Sequence, residues 1–130
     1  MSWEERKAAG NTAIGQHQYA AAISAYTEAI AIVDAEGKET AVGSVGRKQQ
    51  HILYSNRSAA YLSRAKGEGG AANLLQSTGY FESALADGRK CIELCHTFMK
   101  GYNRTAAALE GLADYAQAIG LRASLGMPCL

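Results

Sequence analysis

The run Tyr54-Ser55-Asn56-Arg57-Ser58-Ala59-Ala60-Tyr61-Leu62 returns in altered form as Tyr102-Asn103-Arg104-Thr105-Ala106-Ala107-Ala108-Leu109. A third copy opens at Arg6 with Lys7-Ala8-Ala9-Gly10-Asn11-Thr12-Ala13-Ile14. The starts lie 48 residues apart in both intervals, so the chain is internally repetitive, and repetition decides the fold before any local reading does. After each start comes a second periodic stretch in which an aromatic is followed three residues later by Ala and then by apolar residues at helical spacing. These are Tyr19, Ala22, Ile23, Tyr26, Ala29 and Ile30 in the first repeat, Phe81, Ala84, Leu85, Cys91, Ile92 and Leu94 in the second, and Tyr115, Ala118, Ile119 and Leu125 in the third. The unit is a pair of antiparallel helices whose small residues mark close approach.

Composition agrees. The chain has 130 residues, 48% of them hydrophobic, with a single proline at Pro128. That is one domain's length, enough to bury a core without staples, and a balance that favours helix. Helices are expected at about 3–16, 19–34, 49–64, 79–95, 98–110 and 113–125, with a short turn at Leu74 and Leu75. The repeats run about 3–35, 49–96 and 97–126 within a single domain spanning 1–130. Between and within them, about 35–48 and about 65–78 read as long surface insertions, rich in Gly and polar residues.

The formal net charge of +1 excludes a protein that finds nucleic acid or an anionic membrane by its overall field. No apolar stretch has the eighteen or so residues needed to span a bilayer. Three cysteines and a charged start without a signal peptide's apolar core point to a reducing compartment, the cytoplasm. The chain stops soon after its last helix, at Met127-Pro128-Cys129-Leu130. A solenoid normally ends on a helix with a polar outer face. Either a longer protein is truncated here, or residues 113–130 meet a partner or a second copy.

The repeats resemble the tetratricopeptide repeat, with its small-residue helix A and its aromatic-then-Ala helix B. The resemblance covers about residues 3 to 125 and implies an all-α, right-handed superhelical solenoid of three helix-turn-helix repeats, six helices in all. Departures are the Arg6 in place of an early aromatic, the missing terminal proline of each repeat, and Arg122, Gly120 and Gly126 in a weak third repeat. Within that family the runs Lys7-Ala8-Ala9-Gly10-Asn11, Leu53 to Tyr61, and Lys100-Gly101-Tyr102-Asn103-Arg104 resemble the tetratricopeptide domains of Hop-like (Hsp-organising) heat-shock co-chaperones. The resemblance implies that Lys7, Asn11, Asn56, Lys100 and Arg104 form a two-carboxylate clamp for the C-terminal Glu-Glu-Val-Asp tail of 70-kDa or 90-kDa heat-shock proteins. Ile14, Ala59, Leu62, Ala108 and Gly111 would then supply accessory pockets for upstream peptide residues.

The residues themselves fit that chemistry. Lys7 with Asn11, and Lys100 with Arg104, are i,i+4 pairs that share a helix face. All five candidates are donors, suited to an α-carboxylate and a side-chain carboxylate together. A lone Lys or Arg on a helix is ordinarily solvated, but Asn is a poor mid-helix residue, so two of them need a reason. The competing expectation is a scaffold or self-assembly module whose basic residues are merely solvated. Cys91 and Cys95 with His96 lack a fourth ligand for a closed zinc site, and Cys91 falls on a core position. Gly67-Glu68-Gly69-Gly70 lacks both the preceding strand and the Gly-Lys-Ser/Thr ending of a phosphate loop. With His17, His51 and His96 in turns or at helix ends beside no nucleophile motif, neither an enzyme nor a cofactor or metal is expected. The six tyrosines at helical spacing are read as packing.

Overall fold

The computed structural model describes residues 2–36, 45–68 and 73–124. These form five helices in chain order: α1 (Trp3–Gly15), α2 (Tyr19–Glu36), α3 (Val45–Ala65), α4 (Leu74–Leu94) and α5 (Met99–Ser124). Successive helices pack on one another, and α3 also touches both α1 and α5. The odd-numbered helices therefore make one layer, with α2 and α4 behind it.

Local signals fix the ends. Ser2 caps α1, its Oγ accepting from the Glu5 N–H at 3.1 Å, while Glu4 and Glu5 sit favourably in the first turn. A capping box starts α4: Asn73 Oδ1 accepts from the Gln76 N–H at 2.8 Å, and Gln76 Oε1 accepts from the Asn73 N–H at 3.1 Å. Both α1 and α3 stop in the same motif. At α1 the Gln18 N–H donates to the Ala13 carbonyl and the His17 N–H to that of Ile14. At α3, Glu68 donates to Ser63 and Gly67 to Arg64. The residue after the cap is left-handed in each, His17 at φ 59° and Gly67 at φ 83°.

Two predicted features are corrected. In place of the expected helices 98–110 and 113–125 one continuous α5 runs over Met99–Ser124, so the described residues form five helices and no third hairpin. Moving the α1 terminus forward by two repeat intervals puts Gly15 on Gly111 and His17 on Ala113. An alanine at the left-handed position costs about 1–2 kcal/mol and has no polar side chain to offset it, while Ala is the best helix former. Continuation is the cheaper course, and it leaves Met99, Tyr102 and Leu109 exposed along α5. The helices also encroach on both expected insertions, since α3 begins at Val45 and α4 takes in Leu74 and Leu75. Insertion residues 37–44 and 69–72, together with 125–130 of the tail, including Cys129, lie outside the described residues.

The core has two clusters. Trp3, Ala22, Tyr26, Ala29, Ile30, Val33, Leu53 and Ala60 join α1, α2 and α3; Leu62, Ala65, Phe81, Ala84 and Ala108 join α3, α4 and α5. Close approach depends on missing side chains: a Cβ on Gly10 would stand 2.5 Å from the Tyr26 ring, and one on Gly111 2.2 Å from that of Phe81. Between the clusters lies a buried ion pair. The Arg57 guanidinium donates to both Asp87 carboxylate oxygens, at 2.8 and 2.7 Å, and to Thr27 Oγ1 at 3.1 Å, tying α3 to α4 and α2. Beside it the Ser58 hydroxyl donates to the Ala84 carbonyl at 2.7 Å.

Candidate carboxylate-binding face

On α1, the i,i+4 spacing sets Lys7 half-buried and Asn11 exposed along one face. Asn11 is not loose. The Tyr26 hydroxyl of α2 donates to its Oδ1 at 2.6 Å, and Nδ2 of Asn56, from α3, reaches the same oxygen at 3.5 Å. Two of the predicted residues, 45 positions apart in sequence, are thus brought together. Burial pushes the Tyr26 hydroxyl up to about 12, against the opposing effect of the Asn56 amide. It remains a protonated donor at neutral pH.

Arg104 and Lys100 come from α5. Arg104 is half-buried, and its Nε donates to the Ser55 carbonyl at 3.3 Å, one residue from Asn56. Burial lowers its pKa, which the nearby Cys91 sulfur opposes, but a guanidinium stays charged near neutrality. Lys100 is exposed. Neither lysine has an acidic partner among the described residues, whereas Arg6 pairs with Glu28 at 3.0 Å and Lys90 with Glu93 at 3.5 Å. The layer α1–α3–α5 therefore carries Lys7, Asn11, Asn56 and Arg104, with Lys100 one turn before Arg104.

One cleft adjoins this face, and a second, lined by none of the five candidates, lies where Phe81 of α4 meets α5. The first, of about 300 Å³, is lined by Trp3, Lys7, Asn11, Val45 and Gln49 among others. The second, about 360 Å³, is lined by Lys66, Phe81, Ala107, Glu110, Gly111 and Tyr115, with Asp114. Of the accessory residues expected from sequence, only Gly111 lines either cleft. Leu62 and Ala108 are core side chains, 6% and 0% exposed, and leave little surface for a ligand. Ile14 packs partly buried against the first core cluster, and Ala59 is half-buried.

Sequence reading missed Tyr26 as part of this face. An aromatic at a packing position signals its ring, and nothing in its spacing signals where the hydroxyl lands. It also missed Arg57 and Asp87, whose pairing needs the fold of α3 against α4. Cys91 is where its core position put it: 0% exposed, with burial, and to a lesser degree Cys95, pushing its thiol up to about 11.

No family model matches the chain. Comparison with curated proteins finds relatives along most of its length. It is 36% identical over 111 residues to the heat shock protein sti1 homolog of Schizosaccharomyces pombe, covering 85% of this chain and 14% of that protein. Against heat shock protein STI1 of Saccharomyces cerevisiae the identity is 34% over 118 residues, 91% of this chain and 15% of the relative. Against the Hsp70-Hsp90 organizing protein of Triticum aestivum it is 35% over 115 residues, 88% and 15%. The chain spans about a seventh of the length of these relatives. With its helical-hairpin packing and its small-residue and aromatic-Ala pattern, the chain belongs to the tetratricopeptide domains of the STI1/Hop co-chaperone type.

Proposed function

We propose that the α1–α3–α5 face is a peptide-binding site that takes the C-terminal carboxylates of an acidic tail, Glu-Glu-Val-Asp, of a 70-kDa or 90-kDa heat-shock protein. The supporting observation is the meeting of Asn11 with Asn56, with Arg104 bonded one residue away and two lysines lacking acidic partners among the described residues. In this reading the asparagine amides donate to the α-carboxylate, Lys7 adds charge beside them, and Lys100 and Arg104 meet the aspartate side chain. The relatives named as heat-shock or organizing proteins agree with such a partner.

Charge-assisted bonds contribute about 1.5–3 kcal/mol each. Several of them, less the cost of ordering an extended peptide, give a dissociation constant of order micromolar, about −8 kcal/mol. Calorimetric titration with the free-acid peptide and with its C-terminally amidated form tests this. Arg104→Ala is expected to weaken the free-acid peptide toward the upper end of about tenfold to a hundredfold, and exposed Lys100→Ala toward the lower end. Affinity should fall as salt rises. Equal affinity for the acid and amide forms would remove the clamp reading.

A further inference from the structure

An asparagine side chain has an acceptor at one end and two donors at the other. Only the donor end serves a carboxylate, so something must decide which way Asn11 faces. Its Oδ1 is engaged twice, by the Tyr26 hydroxyl at 2.6 Å and by Asn56 Nδ2 at 3.5 Å. The Tyr26 ring is 1% exposed and seated over the α-carbon of Gly10, where a Cβ would come within 2.5 Å. That seat sends the hydroxyl to the neighbouring residue, Asn11. A neutral phenol can donate here and a carbonyl oxygen can accept.

From this geometry we infer that Tyr26 is a positioning residue of the carboxylate site: its buried hydroxyl holds the Asn11 carbonyl oxygen inward and so turns the Asn11 amide N–H donors toward the groove. The inference rests on the peptide-binding reading for its consequence, though the hydrogen bond itself exists without ligand. Without the hydroxyl, Asn11 could turn its oxygen to the groove, where it would repel a carboxylate. Gly10, Tyr26 and Asn11 then act as one unit, the glycine admitting the ring, the ring placing the hydroxyl, and the hydroxyl orienting the amide.

The test uses the whole 130-residue chain as wild type, Tyr26→Phe, Asn11→Ala and the double variant, titrated with a peptide ending in Glu-Glu-Val-Asp. Tyr26→Phe should weaken the free-acid peptide about threefold to tenfold, less than the full loss of one charged hydrogen bond because the amide can still adopt the productive orientation. In the Asn11→Ala background it should have no further effect, and it should leave the amidated peptide's affinity unchanged. A merely structural tyrosine would weaken binding by the same factor in both backgrounds, and that result overturns the inference, as does wild-type affinity in Tyr26→Phe.

A second measurement needs no ligand. In the free protein the Asn11 side-chain amide resonances, identified by their loss in Asn11→Ala, should move in Tyr26→Phe while those of the α4 cap Asn73 stay in place. If wild type takes up neither peptide, the clamp reading fails, and the resonances alone decide the tyrosine's role. Unmoved Asn11 resonances reject it.

Discussion

Removing the Asp87 carboxylate should be among the most costly single changes in this domain. The side chains of Arg57 and Asp87 are 17% and 6% exposed, so solvent can replace little of what either loses. The two parallel bonds of 2.7 and 2.8 Å are the bidentate geometry that offsets part of a buried pair's desolvation, though burial still holds the Asp87 carboxyl above its ordinary value against the Arg57 bonds. Asp87→Ala leaves a guanidinium that still meets Thr27 Oγ1 and the face of the Tyr54 ring, whose centroid lies 5.4 Å from the cation. Breaking such a pair by deleting one partner costs about 3–5 kcal/mol. For a domain of this size that lowers the melting temperature by roughly 10–20 °C, out of a total stability of about 5–15 kcal/mol. Urea unfolding followed by helical circular dichroism measures it directly. The double change Arg57→Met with Asp87→Leu should recover most of the loss, because two apolar side chains of similar size carry no desolvation cost. A loss below about 1 kcal/mol for Asp87→Ala, or a double variant worse than the single, would refute the assignment of this pair as a buried, mutually dependent contact.

Glycines should separate by what faces them. Gly10→Ala gains about 1 kcal/mol of helix propensity but drives a methyl into the Tyr26 ring, an overpacking cost of about 1–3 kcal/mol, so a net loss of up to about 2 kcal/mol is expected in urea unfolding. Gly79→Ala, in mid-α4 with nothing within 4 Å, should instead stabilise by up to about 1 kcal/mol. Stability should also fall below neutral pH through His51, whose ring meets Phe98 edge-on at 4.8 Å and whose pKa is lowered by burial. The native state then binds fewer protons than the unfolded chain, so stability is lost as pH drops through the ordinary histidine range near 6.5 and levels off below the lowered native value. Melting temperatures between pH 7.5 and 5 should show this slope in wild type and a reduced one in His51→Phe.

What the sequence disclosed was whatever repeats. Helix positions followed from apolar periodicity, and the 48-residue register put Lys7, Asn11, Asn56, Lys100 and Arg104 on α1, α3 and α5 before any coordinates. Polar contacts that cross helices were not legible, because the Tyr26 hydroxyl and the Arg57 guanidinium stand at positions whose spacing announces only packing. The depth of Leu62 and Ala108 was hidden for a related reason. The family resemblance implied a place near the groove for Leu62 and Ala108, but whether such a residue lines a groove or fills the core depends on how close its neighbours come, and here both are in the core.

The missing turn in α5 has a local cause that the repeat register concealed. The first two termini both require a left-handed residue, supplied by His17 and Gly67. In the third repeat the counterpart of Gly15 is again a glycine, Gly111, whereas the second repeat has Ser63 there, but its role differs: it lies under the Phe81 ring, where a Cβ would clash at 2.2 Å. The left-handed position maps to Ala113 when counted from His17 and to Tyr115 when counted from Gly67, and a terminus cannot be read from a glycine whose absence of a side chain is already used for packing. Matching repeats residue by residue thus predicts a helix end only where the residue at the left-handed position can adopt it.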